Sequence, residues 1–246
     1  MASATAVRGM LKADALRLSR DRFLLSVTVY LLFVFALMRV AIPWMTGQIA
    51  SSWDFDLTPF HPLIVSHFTV QLAPWIPGIV GGFLLLECRE DGTVKALLVS
   101  PTPLRTYVSV ACAVMFVIAL AAIMAAAVLI GLRLPPWLPL VAVGLTAASA
   151  GPAVALLIAS ISDNKVQAFA YLKLFGIGPV MASGGYFLPE RWQWLAAIYP
   201  PYCASKAYWL AEAGGSQWPL WVLGGLVGSA IWLRVLHRLY LKAARK

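Results

Sequence analysis

Residues 105–131 read RTYVSVACAVMFVIALAAIMAAAVLIG, and no residue after Arg105 in this stretch carries a charge. A helix needs about 20 consecutive apolar residues to cross a hydrocarbon layer roughly 30 Å thick. Comparable apolar stretches lie at 23–43, 63–86, 138–161, 167–188 and 217–239. The sequence therefore predicts an all-α membrane protein with six transmembrane helices, with kinks at internal Gly and Pro residues and with no strands.

The composition supports a membrane protein. The chain has 246 residues, of which 61% are hydrophobic and 12% are charged, with a mean hydropathy of +0.81. Soluble domains carry about 25% charged residues. The net charge of +9 comes from bases that flank the predicted spans, where anionic headgroups attract them. We therefore expect contacts with membrane lipids, and no nucleic acid as a partner.

The Lys and Arg residues predict the orientation. Of the 19, fourteen lie on the side of the membrane that holds both termini, three lie on the other side, and Arg39 and Lys173 lie within spans. Because cytoplasmic loops carry an excess of Lys and Arg, the N- and C-termini are predicted to be cytoplasmic. An even number of spans requires the same arrangement.

Two segments outside the spans have distinct patterns. Residues 1–22 are predicted to form a basic amphipathic helix on the cytoplasmic surface, although a solvated leader helix would also fit. The remaining 23–246 form a single transmembrane domain. Within it, residues 189–216 are rich in Trp and Tyr and contain two central prolines. This stretch is predicted to form two external half-helices that dip into or lie along the outer leaflet.

The loop at 87–105, ECREDGTVKALLVSPTPLR, is the most informative for function. Gly92 is predicted to end the preceding helix, and Thr93 to cap a new one. The apolar residues of that helix recur at i, i+3 and i+4, and two prolines end it. Its stripe consists of Val94, Leu97 and Leu98. A short amphipathic helix of this kind, displayed on the cytoplasmic side, suits a groove in a partner protein.

The same loop resembles the signature of the ABC-2 class of transporter permeases. The matching residues are Arg89, Glu90, Gly92, Thr93, Leu97, Leu98, Ser100 and Pro101. A second stretch, SGGYFLPERWQWLAAIYPPYCASKA at 183–207, is similar to the family's Ser-Gly-x-x-Phe-x-Pro…Pro pattern after span five. Its matching residues, which we call the external gate motif, are Ser183, Gly184, Phe187, Pro200 and Pro201.

The resemblance implies a function. Such a chain is the permease subunit of an ATP-binding-cassette exporter in a bacterial plasma membrane. It pairs with a second permease chain, identical or homologous, and with two copies of a separate cytoplasmic ATPase that binds ATP and Mg. The residues implied to couple to that ATPase are Arg89, Glu90, Gly92, Thr93, Val94, Leu97, Leu98 and Pro101. The sequence has no phosphate-binding Gly-x-x-x-x-Gly-Lys-Ser/Thr motif, so no cofactor or catalytic site is expected in this chain.

An amphiphilic or hydrophobic substrate, such as a drug, antibiotic or lipid, is expected. The residues predicted to line its cavity are His67, Phe68, Gln71, Lys173, Phe175 and Met181. Lys173 has two interpretations: it lines the cavity and meets an anionic group, or its stem extends back to the cytoplasmic headgroups. No arrangement of residues indicates catalysis or a metal site.

Other functions remain open at this point. An ion-coupled secondary transporter or a channel would need no ATPase, but it would usually carry ionisable residues deep in several spans. A membrane protein with a structural or chaperone role is a further alternative.

Overall fold

The structure is a computed structural model, and it describes residues 22–93 and 104–244. In these ranges all regular structure is helical and no strand occurs, which confirms the predicted all-α class. The α-helices are α1 Arg22–Trp53, α2 His61–Ser66, α3 Ala73–Glu90, α4 Leu104–Ile130, α5 Trp137–Ala148, α6 Ala150–Ile161, α7 Lys165–Phe175, α8 Ile177–Gly184, α9 Glu190–Ala196, α10 Pro200–Glu212 and α11 Trp218–Ala243. A π-helical turn, His67–Leu72, joins α2 to α3, and 3-10 turns occupy Thr58–Phe60 and Gly185–Phe187.

Five helical segments in the described residues are long and apolar enough to cross a membrane. They are Val29–Trp53, Thr58–Glu90, Leu104–Ile130, Trp137–Ile161 and Trp218–Ala243. The segment predicted as a span at 167–188 differs, because it consists of the two shorter helices α7 and α8 with Gly176 between them. Pro179 explains the break, since its ring would clash with the carbonyl group of Phe175 four residues earlier.

A second break has the same cause. The segment Trp137–Ile161 is interrupted at Ser149, between α5 and α6. Pro152 lies four residues after Ala148, the last residue of α5, so its ring excludes a regular α-helical turn at that point. In both segments the proline sets the position at which the helix is interrupted.

Helices α3 and α6 approach each other closely through glycines. A Cβ atom at Gly78 would lie 2.6 Å from the carbonyl oxygen of Gly151, and one at Gly82 would lie 3.3 Å from the Cα atom of Ala155. Small residues permit such close backbone approach in membranes. The Gly-x-x-x-Gly spacing of Gly78 and Gly82 therefore serves packing within the chain.

The core has two parts. One part joins α1, α2, the second half of α4, α5 and α10, and it contains the fully buried Tyr202 and Tyr208. The other joins the second half of α3, the first half of α4, α6 and the end of α11, and it contains the fully buried Leu86 and Tyr240. The two parts extend toward opposite ends of the long helices and meet near their middle, where Ala119 of the first part lies one turn from Met115 of the second.

Two short helices, α9 and α10, occupy the stretch predicted to form half-helices. Helix α10 begins at Pro200, whose ring carbon would lie 3.2 Å from a Cβ atom at Gly228. Gly228 lies about 15 Å along α11 from its first residue, at a rise of about 1.5 Å per residue. The start of α10 is therefore located near the middle of α11.

Candidate functional site

A cavity of about 380 Å³ lies between the start of α3, the α5–α6 break, the α7–α8 break, the start of α10 and the middle of α11. Pockets for drug-sized ligands have volumes of roughly 300–1,000 Å³. The cavity is thus large enough for a small organic molecule, and it lies at the level of the interrupted helices.

The helix interruptions account for the cavity. Ser149 separates α5 from α6 and lines it, and Phe175 and Ile177 flank Gly176 between α7 and α8 and also line it. Tyr199 and Pro200, at the start of α10, close the third side. Because each break turns the chain, side chains next to it leave a space that continuous helices would fill.

The walls of the cavity are apolar and aromatic. Four rings line it, from Trp75, Phe175, Tyr199 and Trp232, and Tyr199 contacts Trp232 edge-to-face with 5.9 Å between ring centroids. No charged side chain lines it among the residues that the structure describes. Such a surface favours molecules with flat apolar bodies over ions.

Few polar groups face the cavity. The hydroxyl oxygens of Ser149 and Ser229 are 2.7 Å apart, and Ser149 Oγ lies 2.6 Å from the carbonyl oxygen of Thr146. These two contacts use both hydroxyl protons, so the serine pair can offer the cavity only acceptor oxygens. The indole Nε1–H of Trp75 has no hydrogen-bond partner in the described part of the chain, although the Tyr199 hydroxyl lies near it.

Two of the six residues predicted to line the cavity do so, namely Phe175 and Met181. His67, Phe68 and Gln71 do not line it, because the π-helical turn that holds them packs against other elements. Gln71 is fully buried, and its Nε2 donates to the Pro201 carbonyl oxygen at 2.8 Å and to Ser205 Oγ at 2.7 Å.

His67 and Lys173 have other surroundings. His67 Nδ1 lies 2.7 Å from Ser183 Oγ, and Ser183 donates to the Pro179 carbonyl oxygen at 3.1 Å. Since Ser183 has only one proton to donate, His67 is the donor of the first bond. Lys173 is exposed in the last turn of α7 and does not line the cavity.

Only part of the external gate motif lines the cavity, and its other residues lie elsewhere in the protein. Pro200 and Pro201 line the cavity, and Ser183 is bonded to His67. Gly184 is exposed with open space around it, and the exposed ring of Phe187 lies 6.0 Å from that of Phe60. Through these contacts and the bond from Gln71 to Pro201, the motif is joined to the first half of the second long helical segment.

Four of the predicted ATPase-coupling residues are described by the structure. Helix α3 ends at Glu90, and Gly92 has a φ of +72°, which confirms the predicted helix end at this glycine. Glu90 is exposed, and Thr93 is the last described residue before the gap. The other four, which are Val94, Leu97, Leu98 and Pro101, lie outside the described residues, as do residues 1–21 of the predicted amphipathic helix.

Arg89 binds within the chain. Its Nη1 donates to the carbonyl oxygens of Ala159 at 2.8 Å and Ser162 at 3.2 Å, at the end of α6. These carbonyl groups carry the partial negative charge of a helix C-terminus, which a guanidinium group neutralises. Arg89 thereby ties the end of α3 to the end of α6.

An ion pair makes a second connection at the same end. Lys165 Nζ, on the first residue of α7, donates a hydrogen bond to Glu87 Oε1 at 2.6 Å. The two side chains are 47% and 32% exposed, so solvent weakens the pair. The C-terminal end of α3 is thus bound to the two helices on either side of the α6–α7 turn.

The sequence missed the aromatic and hydroxyl residues of the cavity. Trp75, Tyr199, Ser229 and Trp232 line it, but they come from three distant parts of the chain. Two of these residues could have been recognised from their position next to prolines in the sequence. Tyr199 directly precedes Pro200 and Pro201, and Trp75 lies between the prolines of span two.

Within the described residues, no group of three or more His, Cys, Asp or Glu side chains is placed to hold a metal ion. Several membrane-length helices around an uncharged, drug-sized cavity have the structure of a multi-pass membrane permease.

The chain belongs to the family described as "Fluoroquinolones export permease protein Rv2686c-like", which it matches over residues 14–237. Its relatives include the fluoroquinolones export permease proteins Rv2686c and MT2760 from two strains of Mycobacterium tuberculosis. Each is 29% identical to this chain over 201 residues, which is 80% of this chain and 78% of the relative. Family membership supports a drug-export permease.

Proposed function

We propose that this chain is the membrane subunit of an ATP-driven, ABC-2-type exporter that removes planar amphiphilic drugs of the fluoroquinolone kind from the cytoplasm. The observation that carries the proposal is the uncharged aromatic cavity in the middle of the helices, which suits such a molecule. The names of the relatives add the drug class. ATP hydrolysis supplies the energy and takes place on a separate subunit, so this chain performs no catalysis.

The topology in this proposal has six crossings. Helices α7 and α8 together extend from Lys165 to Gly184, and twenty residues at about 1.5 Å each reach roughly 30 Å, the thickness of a hydrocarbon layer. This broken pair is the fifth crossing of a bacterial plasma membrane. Both termini then lie in the cytoplasm, and α9 and α10 enter the outer leaflet from outside.

Force reaches the cavity through the cytoplasmic end of α3. The segment 87–105 docks on the ATPase, with Leu97 and Leu98 in its groove. Arg89 connects this segment to α6, and Glu87 connects it to α7. Both helices also line the cavity, through Leu157 of α6 and Phe175 of α7. A shift of the docked segment therefore moves two walls of the cavity.

The complete transporter contains two permease chains and two ATPase subunits, and the ATPase subunits bind ATP and Mg. Affinity purification of the tagged chain from its own membranes in mild detergent, followed by mass spectrometry, tests this assembly. We expect a soluble ATPase with a Walker A lysine to co-purify. A chain that is purified alone and shows no nucleotide-dependent activity would refute the ATP-driven mechanism and favour an ion-coupled carrier or channel.

A variant tests the coupling role. Leu97→Asp places a charge where an apolar contact is proposed, so it should abolish drug export and drug-stimulated ATP hydrolysis while the chain still inserts into the membrane. Leu97→Met, which keeps the side chain apolar and of similar volume, is the matched control. Normal export by Leu97→Asp would contradict the role of this segment.

A further inference from the structure

We propose that the cavity is the drug-binding site, and that Trp75 and Tyr199 together bind the carbonyl oxygens on the edge of a planar heteroaromatic ring system. This inference rests on the proposed export function and assigns its substrate contacts to named residues.

The first observation is a buried donor without a partner. Trp75 is 7% exposed, and its indole N–H has no hydrogen-bond partner in the described part of the chain. A buried N–H group without a partner is costly, so it is usually satisfied by something that the protein itself does not provide. Trp75 lines the cavity beside the Tyr199 hydroxyl, with which its indole group interacts without forming a well-aligned hydrogen bond, so a molecule in the cavity can supply a better-placed acceptor.

The second observation is a neighbouring donor. A Cβ atom at Gly178 would lie 3.0 Å from the Tyr199 hydroxyl oxygen and 3.8 Å from Cζ2 of Trp75, so the two side chains meet over this glycine. Two adjacent donors match two adjacent acceptors. A keto oxygen beside a protonated carboxyl group on one ring edge, as in the neutral form of the quinolone nucleus, has this arrangement.

The third observation is the character of the remaining walls. The rings of Trp232 and Phe175 offer flat surfaces for stacking, and no charged side chain lines the cavity among the described residues. Ile177 and Met181, at the edge of the cavity, are 58% and 68% exposed on the outer surface of the helices. The cavity is therefore open at this edge, and an apolar part of the ligand can extend through it.

Gly178 sets the size of the site. An alanine methyl group there would lie 3.0 Å from the Tyr199 hydroxyl, in the space that the ligand's oxygens would occupy. The backbone of Gly178 does not have a positive φ, so alanine is compatible with the helix itself. Substitution at this position should fill the site without unfolding the protein.

Binding of ciprofloxacin to the purified transporter in lipid nanodiscs, measured by the anisotropy of the drug's own fluorescence, tests the proposal. We expect Tyr199→Phe to weaken binding about five- to tenfold, the effect of one neutral hydrogen bond. Gly178→Ala should weaken it about tenfold or more. The matched controls are Tyr30→Phe, at an exposed position of α1, and Gly224→Ala, where a Cβ atom would meet nothing within 4 Å.

The outcomes separate this proposal from the function on which it rests. If the wild-type protein binds the drug and both cavity variants bind it equally well, the site lies elsewhere, and the export function stands. If the wild-type protein binds no drug and confers no export, both proposals fail. An analogue without the two ring-edge oxygens should bind wild type and Tyr199→Phe alike, and a difference between them would refute the role of the paired donors.

Discussion

The close contact between α3 and α6 allows a quantitative prediction for Gly78→Ala. The new Cβ atom would lie 2.6 Å from the Gly151 carbonyl oxygen, whereas ordinary contacts begin at 3.4 Å, so the helices must separate by about 0.8 Å. Overpacking costs about 1–3 kcal/mol, and a clash with a backbone atom, which cannot rotate away, lies in the upper part of that range, at about 2–3 kcal/mol. The better helix propensity of alanine returns up to about 1 kcal/mol. A net loss of about 1–2 kcal/mol in the free energy of unfolding is expected.

The assay is thermal unfolding of the purified protein in detergent, followed by tryptophan fluorescence. A loss of 1–2 kcal/mol corresponds to a decrease in Tm of about 2–8 °C for a chain of this size. Gly224→Ala is the control, because the same methyl group there meets nothing within 4 Å, and its Tm should stay level or rise. A Tm for Gly78→Ala equal to that of wild type would refute the close packing of α3 on α6.

Further predictions concern charged residues at the end of α3 and on α7. Arg89→Met removes two hydrogen bonds to carbonyl groups at the end of α6, and it should lower the free energy of unfolding by about 2 kcal/mol, with partial recovery in Arg89→Lys. Glu87→Gln breaks only the partly exposed ion pair with Lys165. Chemical denaturation should therefore show that the free energy of unfolding falls by less than about 1 kcal/mol. A decrease as large as that of Arg89→Met would contradict this expectation. Lys173, which is exposed, should react with a membrane-impermeant amine reagent from the cytoplasmic side only, as read by peptide mass spectrometry; labelling from outside would contradict the orientation.

The class of fold could be predicted from the sequence alone. Apolar stretches of membrane length predicted the long helices, because hydrocarbon thickness sets their length directly. Gly92 marked the end of α3, since a helix end at a glycine depends on local backbone geometry. These features require no knowledge of which helices are neighbours.

The span predicted at 167–188 was less well anticipated. Its prolines and glycines indicated a kink, but the structure has two separate helices there. The four-residue rule for Pro179 places the break at Phe175, and the same rule places the α5–α6 break at Ala148 through Pro152. The rule is not sufficient by itself, however, because α1 continues without a break through Pro43.

The cavity could be predicted only in part. Phe175 and Met181 were found because they lie on one short segment, whereas Trp75, Tyr199 and Trp232 come together through tertiary packing. Polar residues were given too much weight. Gln71 was expected to face a substrate, but it is fully buried and bonded to α10, since an amide group in the membrane is stabilised by an internal partner.

The three helix interruptions around the cavity have a mechanical consequence. A continuous helix resists bending through its ladder of backbone hydrogen bonds, and every interruption removes part of that ladder. Here the interruptions at Ser149, at Gly176 and before Pro200 all border one space, so the stiffness of the bundle is lowest in a single plane across its middle. A displacement applied at one end is then concentrated at that plane as a hinge.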